Sequence, residues 1–175
     1  QRRYPVGAEP TPAGGVDFRV WAPDHRQVAV VLEAGRTLEQ PSKISLYPDS
    51  AGYFQGTVAG AGVGTRYRFR LGHDPQLYPD PGSRFQPEGP FGPSQVIDPT
   101  VFPWTDAQRA GVTLEGQVLY EMHIGTFTRE GTWRAAAEKL PYLVEVGVTV
   151  LEVMPVADFP GQFDWGYDGV NLFAP

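Results

Sequence analysis

Aromatic and carboxylate side chains are concentrated near the end of the chain, in the stretch "FDWGYDGVNLFAP" at Phe163–Pro175. Trp165, Tyr167 and Asp168 stand close together there, on a segment whose glycines indicate a loop. Large rings beside carboxylates are typical of the mouth of a binding site. On residue types alone, however, an aromatic-rich loop is more often packed against its own protein. These residues are therefore candidates for ligand binding, and the surrounding elements of the chain must decide whether they bind or pack.

Glu152 and His123 are the other side chains that could do chemistry near this stretch. Glu152 is a lone carboxylate within an apolar segment, and its position in the middle of a predicted strand favours a buried, paired structural group. His123 ends another predicted strand, where it could contact a site or act as a hydrogen-bonded structural histidine. The histidines are too scattered for a metal site to follow from their spacing, so we expect no metal or cofactor.

Two aspartates in "DPQLYPDPG", Asp74 and Asp80, raise the alternative of a calcium site. The spacing of an EF-hand loop is absent, and Asp beside Pro and Gly is typical of tight turns. We therefore predict that both carboxylates form turns.

The composition excludes several classes of protein. With 175 residues, 41% hydrophobic residues and 13% aromatic residues, the chain is expected to fold compactly. A net charge of -6 lacks the basic surface of a nucleic-acid binder and is compatible with an uncharged substrate. The absence of cysteine excludes disulfides and cysteine nucleophiles and fits a cytoplasmic location. The longest apolar run, Val146–Ala157, is interrupted by Glu152 and too short to span a bilayer.

The first part of the chain has the pattern of short β-strands. In "VDFRVW" at Val16–Trp21, the apolar residues alternate with Asp17, Arg19 and Trp21, which are expected to face solvent. Similar strands are predicted at residues 27–33, 52–58 and 65–71, separated by turn clusters that include "AGR" at residues 34–36. This spacing predicts an immunoglobulin-like β-sandwich. Residues 72–98 are rich in Pro and Gly and are expected to form an ordered connector within this domain, residues 1–98.

After a linker at residues 99–117, residues 118–175 have a different pattern. Apolar segments at Val118–Ile124 and Val148–Val156 predict two strands, with a helical segment between them. Thr132 is a candidate N-cap, and Pro141 predicts a kink or two short helices. The apolar residues of the helical segment have helical spacing: Trp133, Ala136, Ala137, Leu140 and Val144. The order strand, helix, strand predicts a βαβ unit with parallel strands.

The strand sequence "VDFRVWAP", followed much later by "LYEMHIGTFTREG" and "WGYDGVNLFAP", resembles the α-amylase superfamily of glycosidases. The resemblance extends over nearly the whole chain, to the group with an N-terminal β-sandwich before a (β/α)8 barrel. Tyr78–Pro99 together with "WGYDGV" most resembles the maltooligosyltrehalose trehalohydrolase family. Branching enzymes also have "WGY" but commonly carry Gln where this chain has Asp168, which makes a branching or debranching enzyme the alternative.

The resemblance implies hydrolysis of the α-1,4-glucosidic bond next to the terminal trehalose of maltooligosyl trehalose, an α-1,4-glucan derivative. It implies a retaining mechanism, with an Asp nucleophile and a Glu acid/base about 5 to 5.5 Å apart. Tyr167 would stack on the sugar ring before the scissile bond, with Asp168 behind it and Trp165 shaping the loop. The family's catalytic carboxylates follow barrel strands four, five and seven, so none is expected among these residues.

A parallel sheet of two strands is not stable alone, because both of its faces need cover and its edges need partners. We therefore expect the other barrel strands to lie beyond Pro175 in the same natural polypeptide, with a non-covalent partner as the alternative source. A non-catalytic glycan-binding module is the alternative of another class. Under that alternative Trp21 and Trp104 could be sugar platforms, although the position of Trp21 next to Pro23 favours packing at a domain interface.

Overall fold

The computed structural model describes residues 2–33 and 41–175, which fall into two compact units. The first unit comprises Gln1–Val101, Ala157–Pro160 and Val170–Pro175, and the second comprises Phe102–Val156 and Gly161–Gly169. The turn predicted at residues 34–36 lies outside the described residues. No helix in the described ranges is long and apolar enough to cross a membrane.

The first unit consists of two antiparallel sheets. Its strands are β1 (Gly7–Pro10), β2 (Val16–Trp21), β3 (Val28–Leu32), β4 (Ser42–Ser45), β5 (Tyr47–Pro48), β6 (Tyr53–Val58), β7 (Arg66–Leu71), β8 (Leu77–Tyr78) and β9 (Ser94–Gln95). One sheet has the order β1-β2-β6-β5, and the other has the order β4-β3-β7-β8, with β9 also paired to β7. The sandwich predicted from the spacing of the strands is therefore confirmed, although β1, β4, β5, β8 and β9 were not predicted.

Apolar side chains from both sheets form the core of the first unit. Phe18 from β2 meets Tyr67 from β7 edge-on, with ring centroids 4.9 Å apart. Tyr67 in turn contacts Phe69 in the same geometry at 5.8 Å. Val16 and Val20, which flank Phe18 at the period of two, are also buried. Edge-to-face pairs of this kind add about 0.5–1.5 kcal/mol beyond burial of their apolar area.

Asp17 departs from the alternation that the sequence predicts. It lies on the outer side of β2 but is only 8% exposed. Its carboxylate forms an ion pair with Arg2 and accepts hydrogen bonds from Gln55 Nε2 at 3.1 Å and Thr57 Oγ1 at 3.0 Å. The expectation of a solvent-facing Asp17 was therefore wrong, because an N-terminal arginine and two neighbours on β6 cover the carboxylate.

The Pro- and Gly-rich segment after β7 is tied to the sandwich through Asp80. The Tyr67 hydroxyl donates to Asp80 Oδ2 at 2.6 Å, and Asp80 Oδ1 accepts from the Gly82 N–H at 2.7 Å. The Asp80 N–H donates to Ser94 Oγ at 2.9 Å. Burial raises the pKa of the Asp80 carboxyl and, more strongly, that of the Tyr67 hydroxyl. Asp74 likewise accepts from the Gln76 N–H at 2.9 Å, so the turn-forming role predicted for both aspartates is confirmed.

The second unit contains a parallel pair of strands joined by helices. Its elements are β10 (Leu119–Met122), α1 (Ile124–Phe127), α2 (Trp133–Glu138), α3 (Leu140–Glu145) and β11 (Val150–Val153). The two strands pair in parallel, with Leu119 opposite Val150. Thr132 caps α2, because its Oγ1 accepts from the Ala135 N–H at 3.3 Å. The helical segment is divided into α2 and α3 just before Pro141, as the proline predicts.

Burial in the second unit is limited. Its core consists of Met122, Ile124 and Ala136, with partly buried neighbours around them. Glu152 is exposed, so the interpretation of a buried, paired carboxylate was wrong. The physical reason is that β10 and β11 pair with no further strand among the described residues, which leaves much of their surface uncovered.

The helices of this unit also bury fewer apolar side chains than the helical spacing of these residues predicts. Of the five apolar positions with helical spacing, all within the described ranges, only Ala136 is buried. Leu143, on α3, is buried instead. The break between α2 and α3 interrupts a single continuous apolar face, which explains why a regular helical period overestimated burial.

We predict that Tyr67→Phe lowers the stability of the first unit. The substitution leaves Asp80 Oδ2 without its hydroxyl donor in a fully buried position, while Oδ1 keeps the Gly82 N–H, and this costs about 1–3 kcal/mol. Urea unfolding followed by tryptophan fluorescence measures the change. Tyr78→Phe is the matched control, because the Tyr78 hydroxyl also donates to a carboxylate, that of Asp74, but in a more accessible position. Equal losses in the two variants would contradict the role given to burial.

Candidate functional site

The loop that follows β11 carries the aromatic residues singled out from the sequence. Trp165 is 83% exposed, Tyr167 is 76% exposed, and Asp168 is also exposed. The loop follows the carboxyl end of β11, where the Met154 N–H donates to the Met122 carbonyl at 3.0 Å and extends the pairing with β10. The three candidate residues thus belong to one exposed segment, and their side chains are not buried by packing within the second unit.

Asp164 organises the inside of this loop. Its carboxyl oxygen Oδ1 accepts hydrogen bonds from the Gly166 N–H at 2.9 Å and from the Asp168 N–H at 3.1 Å. Asp164 itself is only 9% exposed. An aspartate that accepts hydrogen bonds from backbone N–H groups two and four positions later stabilises a turn. These hydrogen bonds favour the turn over other backbone conformations of the same residues.

Gly166 combines a positive φ with close packing against neighbouring residues of the second unit. Its φ of 86° lies in the region that favours glycine. A Cβ atom there would stand 3.3 Å from Met154 Cβ and 3.4 Å from Pro155 Cδ. The turn at Gly166 therefore packs directly on the residues that leave β11.

The two ends of the loop are held together by a second set of hydrogen bonds, within the first unit. The Val170 N–H donates to the Asp158 carbonyl at 2.8 Å, and the Asp158 N–H donates to the Ala174 carbonyl at 2.7 Å. Asn171 is buried and its Nδ2 donates to the Pro90 carbonyl at 3.2 Å. Burial raises the pKa of the Asp158 carboxyl. These contacts close the base of the loop.

The arrangement is suited to binding a ligand with both apolar and hydroxyl-bearing surfaces. Exposed rings can stack on an apolar face, and the Asp168 carboxylate can accept hydrogen bonds from hydroxyl groups. Across the described residues, no group of three or more His, Cys, Asp or Glu side chains could hold a metal ion. His123 Nδ1 is buried and has no hydrogen-bond partner in the part of the chain that the structure describes.

The sequence pattern did not identify the residues that support the loop. Asp164, Gly166, Asp158 and Asn171 were not singled out. For the first two a local signal exists, because Asp followed two positions later by Gly is typical of a side-chain-stabilised turn. For Asp158 and Asn171 no local signal exists, since their contacts join distant parts of the chain.

A groove in the first unit also contains exposed aromatic residues. It has a volume of about 680 Å³ and is lined by residues that include Trp21, Tyr78 and Phe91. The Trp21 indole N–H donates to the Ala51 carbonyl at 3.2 Å, which fixes the ring at the edge of the groove. Trp104, the other candidate platform, is exposed in the second unit.

We predict that Gly166→Ala destabilises the loop more than Gly161→Ala does. Both glycines have positive φ, which costs an alanine about 1–2 kcal/mol. A Cβ at Gly161 would meet open space, whereas at Gly166 it would press on Met154 and Pro155. Limited proteolysis within residues 157–175 and thermal unfolding measure the difference. Identical behaviour of the two variants would show that the packing of Gly166 is unimportant.

Comparisons with known proteins identify a matching family model and several similar sequences. Residues 5–83 match the family model described as carbohydrate-binding module 48, the isoamylase N-terminal domain. The malto-oligosyltrehalose trehalohydrolase of Saccharolobus solfataricus is 46% identical, over 91% of this chain and 27% of that protein. The enzyme of the same name from Deinococcus radiodurans is 45% identical, over 99% of this chain and 27% of that protein.

A branching enzyme and a candidate alpha-amylase are also similar to this chain. A 1,4-alpha-glucan branching enzyme of Xanthomonas oryzae pv. oryzae is 33% identical, over 92% of this chain and 24% of that protein. The crystal structure of a candidate alpha-amylase from Salmonella typhimurium superposes with a TM-score of 0.88 and 45% identity, covering 99% of this chain and 28% of that one. The chain spans about a quarter of the length of the curated relatives it matches. It is therefore related, across nearly its whole length, to the N-terminal portion of the maltooligosyltrehalose trehalohydrolases, glycoside hydrolases of the α-amylase superfamily.

Proposed function

We propose that this chain is part of a glycoside hydrolase that cleaves the α-1,4-glucosidic bond next to the terminal trehalose of maltooligosyl trehalose and so releases trehalose. The observation that carries the proposal is the exposed loop with Trp165, Tyr167 and Asp168 at the carboxyl end of a parallel strand pair. Identity of 45–46% to two trehalohydrolases, against 33% to a branching enzyme, supports this reaction over branching or debranching.

The second unit is proposed to begin a (β/α)8 barrel, with residues 118–175 forming its first strand–helix–strand part. Active sites of such barrels lie at the carboxyl ends of the strands and are built from the loops there. The position of the aromatic loop directly after β11 supports a place at the rim of such a site. Residues 1–98 would be the sandwich domain with its connector, and residues 99–117 the linker.

In this proposal Tyr167 stacks on the sugar ring before the scissile bond. The axial C–H groups of glucose present an apolar face that an exposed aromatic ring can cover. Asp168 follows directly and would accept from sugar hydroxyls, while Trp165 shapes the loop. The exposure of these side chains supports a role in contacting a ligand.

The chemistry itself is assigned to carboxylates outside these residues. A retaining glycosidase uses an Asp or Glu nucleophile that attacks the sugar's anomeric carbon, while a second carboxylic acid protonates the leaving oxygen. The covalent glycosyl intermediate is then hydrolysed by water, which the second carboxylate deprotonates. The partner of this chain would thus be the remainder of the barrel, within the same polypeptide, and the substrate an α-1,4-glucan with a terminal trehalose.

A glycan-binding role of the sandwich is the second candidate, favoured by the match of residues 5–83 to a carbohydrate-binding module. The two candidates make different predictions about the products. Glycan binding alone leaves maltooligosyl trehalose intact, whereas the proposed hydrolase releases free trehalose from it. A branching enzyme would instead introduce α-1,6 linkages into amylose.

The test is incubation of the full-length protein with maltooligosyl trehalose, with free trehalose measured by chromatography. We predict that Tyr167→Ala lowers kcat/KM at least about tenfold, since loss of roughly 1.4 kcal/mol of transition-state binding gives that factor. Tyr167→Phe, which keeps the ring, is expected to stay near wild type. Tyr47→Ala is a matched control, because Tyr47 is also highly exposed, at 77%, but lies on β5 of the sandwich.

Absence of trehalose with the wild-type protein would reject the proposed reaction. New α-1,6 linkages in amylose would then identify the protein as a branching enzyme. An equal effect of Tyr47→Ala and Tyr167→Ala would reject the role of the loop.

A further inference from the structure

Two backbone groups on either side of Tyr167 are bound to one buried oxygen atom. Asp164 Oδ1 accepts from the N–H of Gly166, the residue before Tyr167, at 2.9 Å. The same oxygen accepts from the N–H of Asp168, the residue after Tyr167, at 3.1 Å. The peptide units that flank Tyr167 are therefore tied to a single point, which is itself shielded from solvent.

The position of the Tyr167 ring depends on this backbone. With 76% of its surface exposed, the side chain has little packing within the second unit to orient it. The direction of its Cα–Cβ bond is set by the backbone of residues 166–168. Gly166 restrains that backbone because it packs closely against Met154. The hydrogen bonds to Asp164 supply the restraint from within the loop.

We infer that Asp164 is a positioning residue, which holds Tyr167 in the orientation needed to meet the sugar ring. The inference rests on the proposed function, because it assigns Asp164 a role in that same site. A misplacement of a contacting group by about 1 Å can cost on the order of 100-fold in rate. A carboxylate that fixes the loop before substrate arrives therefore acts on catalysis without touching the substrate.

The geometry separates this role from that of a catalytic carboxylate. Asp164 is nearly buried and one of its oxygens already accepts two hydrogen bonds, so the carboxylate is turned into the loop. In Asp164→Asn the amide oxygen can still accept from both N–H groups, but the side chain can no longer act as a nucleophile or acid. A positioning role therefore predicts that Asn substitutes for Asp, whereas a catalytic role predicts that it does not.

The experiment compares steady-state kinetics of full-length variants with maltooligosyl trehalose as substrate. We expect Asp164→Ala to lower kcat/KM by about 10- to 100-fold, and Asp164→Asn by less than about threefold. The losses in the double variant Asp164→Ala/Tyr167→Ala should be less than additive, because Asp164 acts mainly through Tyr167. Asp106→Ala, which removes an exposed aspartate of the same unit, is the matched control and should leave the kinetics unchanged.

Hydrogen–deuterium exchange gives a readout that does not depend on activity. In the wild type the amides of Gly166 and Asp168 should exchange slowly; in Asp164→Ala they should exchange faster, and in Asp164→Asn they should remain protected. Melting temperatures of the variants identify any general unfolding, which would accelerate exchange throughout the protein rather than at these two amides.

Unchanged exchange in Asp164→Ala would overturn the inference, whether or not the protein releases trehalose. Additive losses in the double variant, or equal damage from Asn and Ala, would also overturn it. If the wild-type protein releases no trehalose but its loop amides are protected, the proposed function is rejected. The role of Asp164 in holding the loop is then still supported.

Discussion

The buried hydrogen bond from the Tyr67 hydroxyl to the Asp80 carboxyl is the contact on which the segment after β7 depends. Together with the short strands β8 and β9, which pair with β7, it holds the Pro- and Gly-rich segment after β7 against the core. That segment in turn provides the Pro90 carbonyl, which accepts from Asn171. Within the first unit, residues 157–160 and 170–175 are thus linked to a segment that the sandwich core anchors.

The aromatic loop contains the same kind of buried aspartate as the segment after β7. Asp80 and Asp164 are both largely buried, and each uses a carboxyl oxygen to accept from the N–H of a glycine two positions later. In both places the carboxylate satisfies backbone donors that a turn would otherwise leave unpaired, which is costly away from water. The second case bears on the proposed function, because it leaves an exposed tyrosine between two fixed peptide units.

The two units differ in how completely they bury their apolar surface. The sandwich has a continuous core between its sheets, whereas the parallel pair β10–β11 has apolar residues such as Leu119 and Tyr120 exposed. Parallel strands are stable when both faces are covered, so this surface fits the proposal that further barrel strands complete the sheet. It also explains why Glu152, interpreted as buried from its place in an apolar strand, is exposed among the described residues.

The sequence by itself determined the features that depend on neighbouring residues. The alternation of β2, the capping of α2 by Thr132 and the break before Pro141 all follow from local backbone preferences, and the aromatic loop was located by its residue types. Tertiary structure alone decided which polar groups are covered. Asp17 is buried by Arg2, Gln55 and Thr57, and Asn171 bonds to Pro90, 81 positions away. A local period reports the direction of a side chain, but its burial depends on which distant segment packs over it.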